Sequence, residues 1–78
     1  MRSVGILIFP AFQLLDAAGP VAAFEVAGHG LDSPPYRLTL LARHAGVVRS
    51  SSGAALFAQG FDTAERLDTL IVSGGSGT

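Results

Sequence analysis

The stretch Val4 to Glu25, VGILIFPAFQLLDAAGPVAAFE, limits the folds open to this chain more than any other. Val4-Gly5-Ile6-Leu7-Ile8-Phe9 is a continuous apolar run rich in β-branched residues, stopped by Pro10. Such a run predicts a parallel strand covered on both faces, because a half-solvated strand would alternate apolar with polar residues. Pro10-Ala11-Phe12-Gln13 is the connection, and Leu14 to Ala27 is nearly all apolar, with Asp16 and Glu25 its only charges. That segment has the length of a helix, and at about 100° per residue its two acids point to opposite sides. They do not form a carboxylate pair. An unpartnered buried carboxylate costs on the order of several kcal/mol, so Asp16 is expected either to cap the helix or to face a site.

The start of the helix has two readings. Proline is favoured at the first helical position, which would place the cap at Gly19 and Asp16 in the preceding turn. Alternatively Asp16 is the cap and Pro20 falls at the end of the first turn, where losing one N–H is tolerable. The residues alone are compatible with both.

Further along, Gly28 to Pro35 is a loop by its turn residues, and Tyr36 to Ala42 predicts a second strand with partial alternation. Turns at Ala45-Gly46 and at Ser50 to Gly53 flank Val47-Val48 and precede Ala55 to Ala58, which predicts a small antiparallel extension. Asp62 followed three residues later by Glu65 is a capping signal for a turn or two of helix. Thr69 to Val72 is a third buried strand, and Ser73-Gly74-Gly75-Ser76-Gly77-Thr78 is a glycine-rich turn. Strand, helix, strand, short helix, strand indicates an α/β fold with a parallel sheet of about three strands.

At 78 residues the chain is at most one small domain, and it has no cysteine for a disulfide. Domains of this size bury only about 60% of their unfolded surface and usually need such support. Its 49% hydrophobic and 14% charged content calls for more burial than so short a chain supplies, so residues 1–78 are expected to be part of a larger fold. A parallel sheet left with an open apolar edge is an association hazard. The net charge is -1, with no lysine and five separated arginines, which argues against a phosphate-binding footprint. Arginine without lysine, together with the alanine content, points to a GC-rich bacterial gene. The N-terminal apolar run is shorter than the roughly 20 residues of a membrane span and lacks a leader's cleavage site, so a cytoplasmic location is expected.

Ligands of open α/β sheets sit at the carboxyl ends of the strands, and here two such ends carry chemistry. One is Phe9-Pro10 with Asp16 beyond it. The other is Ser73-Gly74-Gly75, whose backbone N–H groups could meet an anion or oxyanion, though a plain tight turn needs glycine equally. The glycine run is neither a Walker loop nor a dinucleotide fingerprint. His29 and His44 lie in expected loops without the neighbours a metal needs, and no metal or cofactor is expected. Arg49 with the following serines reads as a polar turn more readily than as an anion site. Serine-triad and nucleophile-elbow patterns are absent from the sequence.

VGILIFPAFQLLDAAGPVAAFE, YRLTLLARHAGVVRSSSG and LDTLIVSGG together resemble the N-terminal part of the ThiJ/PfpI family, within the class I glutamine amidotransferase-like superfamily. The FPxFQLLDxAGP and VRSSSG patterns carry most of the likeness, which is strongest to the sensor-like domain of AraC-type transcriptional regulators and extends to isocyanide hydratases. The resemblance implies a three-layer flavodoxin-like sandwich. It also implies that Asp16 is the acid that hydrogen-bonds a nucleophilic cysteine in the family's enzymes, and that Gly74 and Gly75 form the turn whose amides hold substrate. The chain departs from that pattern in having no cysteine, so by itself it is expected to be inactive.

Two functions follow from the likeness. The first is a ligand-sensing or dimerisation part of an AraC-type regulator, homodimeric when complete, that meets a small-molecule effector and leaves DNA to a downstream region. The second is part of a cysteine-dependent enzyme such as an isocyanide hydratase, with Asp16 as its catalytic acid. A flavodoxin-like nucleotide module fits less well, because PAFQLLD lacks the glycine and hydroxyl residues that cradle phosphate.

Overall fold

The computed structural model describes residues 2–28, 30, 35–63 and 66–75. β1 (Arg2–Leu7) leads into α1 (Leu14–Ala27), followed by β2 (Tyr36–Ala42), β3 (Gly46–Arg49), β4 (Ala55–Gly60), a single 3-10 turn (Phe61–Thr63) and β5 (Thr69–Val72). The five strands form one mixed sheet in the order β3-β4-β2-β1-β5. β1 is interior, between β2 and the edge strand β5, and parallel to both, in register Arg2↔Tyr36 through Leu7↔Leu41 with β2 and Val4↔Thr69 through Leu7↔Val72 with β5. Its apolar run predicted cover on both faces; β1 has a strand partner on each edge, but among the described residues a helix covers only one face.

The expected extension is present, and it enlarges the sheet. β3 and β4 form an antiparallel hairpin from Gly46↔Ala58 to Arg49↔Ala55. The hairpin turns the chain so that the end of β4 runs alongside β2, pairing parallel at Leu41↔Gln59 and Ala42↔Gly60. Four strands therefore run parallel where three were expected. Beyond β4, Asp62 lies within the 3-10 turn rather than capping an α-helix, and Glu65 lies outside the described residues.

Side chains two apart on a strand share a face, and the core follows that period. Ile6, Ile8, Ala42, Val48 and Ala58 are buried with Phe12 and Ala17, and Leu40, Ile71 and Val21 pack against them. This is the face that α1 covers. Phe24 near the end of α1 meets Tyr36 at the start of β2 edge to face, with ring centroids 4.7 Å apart. The opposite face carries Leu41, buried, but also the exposed Val47, Phe57, Leu70 and Val72. Among the described residues no helix lies over it, so two layers of the expected sandwich are seen. No helix of the described residues is long and apolar enough to cross a membrane.

Both readings of the helix start give way. α1 spans Leu14–Ala27 with Gln13 in the capping position, and Gln13 makes no side-chain cap bond. Asp16 is thus the third residue inside the helix, and Pro20 is internal. Pro20 withholds the N–H that would bond the Asp16 carbonyl, and as the seventh helical residue it is an interior proline, not the first-turn one that either reading assumed.

Candidate functional site

The connection between β1 and α1 is a tight turn held from three sides. Phe12 N–H bonds the Phe9 carbonyl at 3.0 Å, closing a turn with Pro10 second and Ala11 third. Ala11 has φ 66°, the positive value that the third position of a type II turn demands and that glycine usually supplies. The strain of about 1–2 kcal/mol in such a residue has to be held by its surroundings. Ala11 N–H bonds the Arg49 carbonyl at 2.8 Å, and Ser51 N–H bonds the Phe12 carbonyl at 2.9 Å. Phe12 is fully buried and anchors the turn in the core.

The segment after β5 closes the third side. Gln13 N–H bonds the Gly74 carbonyl at 2.8 Å, and Phe12 and Gly75 form an isolated antiparallel bridge. Gly75 has φ +144°, and a Cβ built on it would stand 2.7 Å from the Ala11 carbonyl oxygen and 2.9 Å from Gln13 N. Backbone packs directly on backbone there, which only glycine permits.

Asp16 completes the junction. The Gly74 N–H donates to Asp16 Oδ2 at 2.9 Å, across 58 residues of sequence. The two strand ends singled out in the sequence, with their candidate residues Asp16, Gly74 and Gly75, are therefore brought together. Asp16 is exposed rather than buried, and it is not the helix cap. Its exposed carboxylate thus stands at the carboxyl end of the parallel strands, oriented by the Gly74 amide.

The other candidates lie apart. His44 is exposed in the turn between β2 and β3, and His29, Ser76, Gly77 and Thr78 fall outside the described residues. Arg49 donates from Nη1 to the Gly53 carbonyl at 3.4 Å, and Ser50 Oγ meets Ser52 Oγ at 2.9 Å, an internally bonded turn. No group of metal-ligating side chains occurs among the described residues. Sequence reasoning missed Ala11, whose strain leaves no compositional mark. It took Ser73 only as backbone of the turn, whereas the side chain is 2% exposed with its hydroxyl unpartnered among the described residues. An unsatisfied buried hydroxyl costs about 1–3 kcal/mol, and a small polar residue closing an apolar strand was the available signal.

No protein-family model matches the sequence, and no curated protein matches it significantly. Solved structures do match. An AraC family transcriptional regulator from Pseudomonas putida superposes with a TM-score of 0.75 at 22% identity, over 96% of this chain and 48% of that one. An oxidised DJ-1 from Toxoplasma gondii gives 0.76 at 18% identity, covering 97% and 40%. A ThiJ/PfpI domain protein from Brachyspira murdochii gives 0.75 at 18% identity, covering 97% and 42%. The chain has the α/β fold of these proteins and spans less than half the length of each. At such identities the likeness is one of fold, and function has to be argued from the site.

Proposed function

We propose that this chain is the ligand-sensing part of an AraC-type transcriptional regulator, with DNA contacted by a separate region and two copies associating when the protein is complete. The observation that carries the reading is the Asp16–Gly74 hydrogen bond, which holds an exposed carboxylate at the carboxyl ends of the strands. A carboxylate only accepts hydrogen bonds, so the effector is a small molecule bearing N–H or O–H donors. The sequence fits the division of labour, since five scattered arginines and a net charge of -1 give no footprint for a phosphate backbone. The fold-level likeness to the Pseudomonas putida regulator supports the same reading.

The enzyme reading uses the same carboxylate to polarise a thiol or an attacking water, as an isocyanide hydratase-like activity would need. It requires a cysteine nucleophile, which residues 1–78 do not contain, so it rests on a further segment just as the regulator reading does.

A thermal-shift screen of small amides, amines and alcohols tests the proposal. A compound that raises the melting temperature of the native chain and not of Asp16→Asn is the expected result, because the amide reverses half of the acceptor pattern with little change of shape. Hits that stabilise both proteins equally would overturn the role of Asp16. Salt-resistant, sequence-specific DNA binding by residues 1–78 would overturn the division of labour.

A further inference from the structure

The sheet has a second feature, two strands away from Asp16 and Gly74, with β1 and β2 between. β2 pairs with β1 along its length, yet with β4 only at Leu41↔Gln59 and Ala42↔Gly60. From there the two strands diverge, and Leu38, Thr39 and Leu40 have no strand partner on the β4 side among the described residues. The gap is a cavity of about 290 Å³. Its walls are Ile6 and Leu40 from the sheet, Val21 from α1, Leu38, and Phe57 across the opening. Phe57 is 67% exposed, standing at the mouth. Among the described residues Thr39 and Gln59 are the polar ones of the lining, and none that is charged contributes to it.

These properties set what the cavity can hold. An apolar cavity of about 150 Å³ is enough for benzene, so twice that space suits a ring with a short substituent. Small-molecule sites combine apolar walls with a few polar groups that fix orientation, which is the balance here. A charged ligand would leave water for walls that offer it no counter-charge, at a large desolvation cost. We infer that the wedge between β2, β4 and α1 is a binding site for a small, uncharged, mainly apolar molecule, with its single polar group directed at Gln59 and Thr39. The site is distinct from the Asp16 carboxylate and stands whether or not Asp16 serves an effector.

The test is a titration of the native chain, labelled at Ile, Leu and Val methyls, with indole and separately with benzoate. Indole is expected to shift the methyls of Ile6, Val21, Leu38 and Leu40 with saturation, while Leu15, Val26, Leu70 and Val72 stay in place. Benzoate is expected to bind at least about tenfold more weakly. Leu40→Trp fills the wedge and should abolish the indole shifts. Should that variant fail to fold, Gln59→Leu at the rim should weaken indole by up to about tenfold, the worth of one hydrogen bond. Equal binding of benzoate, shifts spread over every exposed apolar residue, or no saturation would each overturn the inference. So would wedge methyls that move with protein concentration alone, which would assign the space to a second copy. Loss of Asp16-dependent binding in the thermal-shift screen would leave these indole shifts unchanged, so the two readings fail separately.

Discussion

Replacing Gly75 by alanine should cost far more than a glycine-to-alanine change ordinarily does. The new Cβ would lie 2.7 Å from the Ala11 carbonyl oxygen, 2.9 Å from Gln13 N and 2.9 Å from Phe12 Cα, all backbone atoms of a turn that is itself strained. None can swing aside as a side chain would. Holding alanine at φ +144° adds roughly 1–3 kcal/mol of backbone strain. Separation of the two segments then loses the Gln13–Gly74 bond and disturbs the Gly74–Asp16 bond, at about 1 kcal/mol each. The expected total is about 3–5 kcal/mol. Gly53 supplies the control, for it also has positive φ, +90°, but a Cβ added there would meet nothing within 4 Å. Gly53→Ala should cost the strain alone, about 1–2 kcal/mol. In a domain of this size each kcal/mol moves the melting temperature by about 4–8 °C, so Gly75→Ala, costlier by about 2–3 kcal/mol, should melt roughly 8–24 °C below Gly53→Ala. Circular dichroism melts at one protein concentration measure the gap. If the two variants melt together, the backbone contact between the β1–α1 turn and the end of β5 does not exist as described.

Other consequences follow from the same packing. Phe12→Ala empties a fully buried aromatic site and should cost about 3–5 kcal/mol, against a total stability of roughly 4–12 kcal/mol for a chain this long, so urea titration should find the unfolding midpoint lowered by about half. Ala11→Val places a β-branched residue at φ 66° and should lower the urea midpoint clearly, whereas Ala11→Gly should change it little, relief of strain offsetting the greater freedom of the unfolded chain. Leu70 and Val72 are exposed on the edge strand β5, so the native chain should self-associate in sedimentation velocity and Val72→Lys should shift it toward monomer. A native chain monomeric at all concentrations would refute the last of these.

Much of the fold was legible because it rests on pattern. α1 fills the whole apolar segment Leu14 to Ala27 and ends where Gly28 follows it, although its start lies earlier than either cap the residues offered. β1 begins two residues earlier than its apolar run and ends two earlier, at Leu7. Ile8 has left the β1 ladder although its N–H still bonds the Leu41 carbonyl at 2.8 Å, and periodicity is blind to that distinction. The helix start was illegible because Gln13 caps by position and not by side chain, so the usual signals pointed to Asp16 and Gly19 instead.

The site divides in the same way. Asp16 stood out as an isolated charge, and Gly74 and Gly75 as a turn after a strand, but their convergence depends on sheet order, which no local pattern encodes. Asp16 was expected to need a partner because it would be buried. It has a partner while exposed, so the contact orients the carboxylate rather than compensating for desolvation. The wedge beside β2 arises from where the β2–β4 ladder stops, a property of two strands that neither sequence segment carries alone.

The measurement closest to the central claim is hydrogen exchange at the Gly74 amide, in the native chain and in Asp16→Ala. If the amide is held by the carboxylate, it exchanges slowly in the native chain, and the substitution speeds it on the order of tenfold while the Gly53 amide is unchanged, a loss of about one hydrogen bond. Equal exchange at Gly74 in both proteins would contradict the account, because Asp16 would then not be fixed where the strand ends meet.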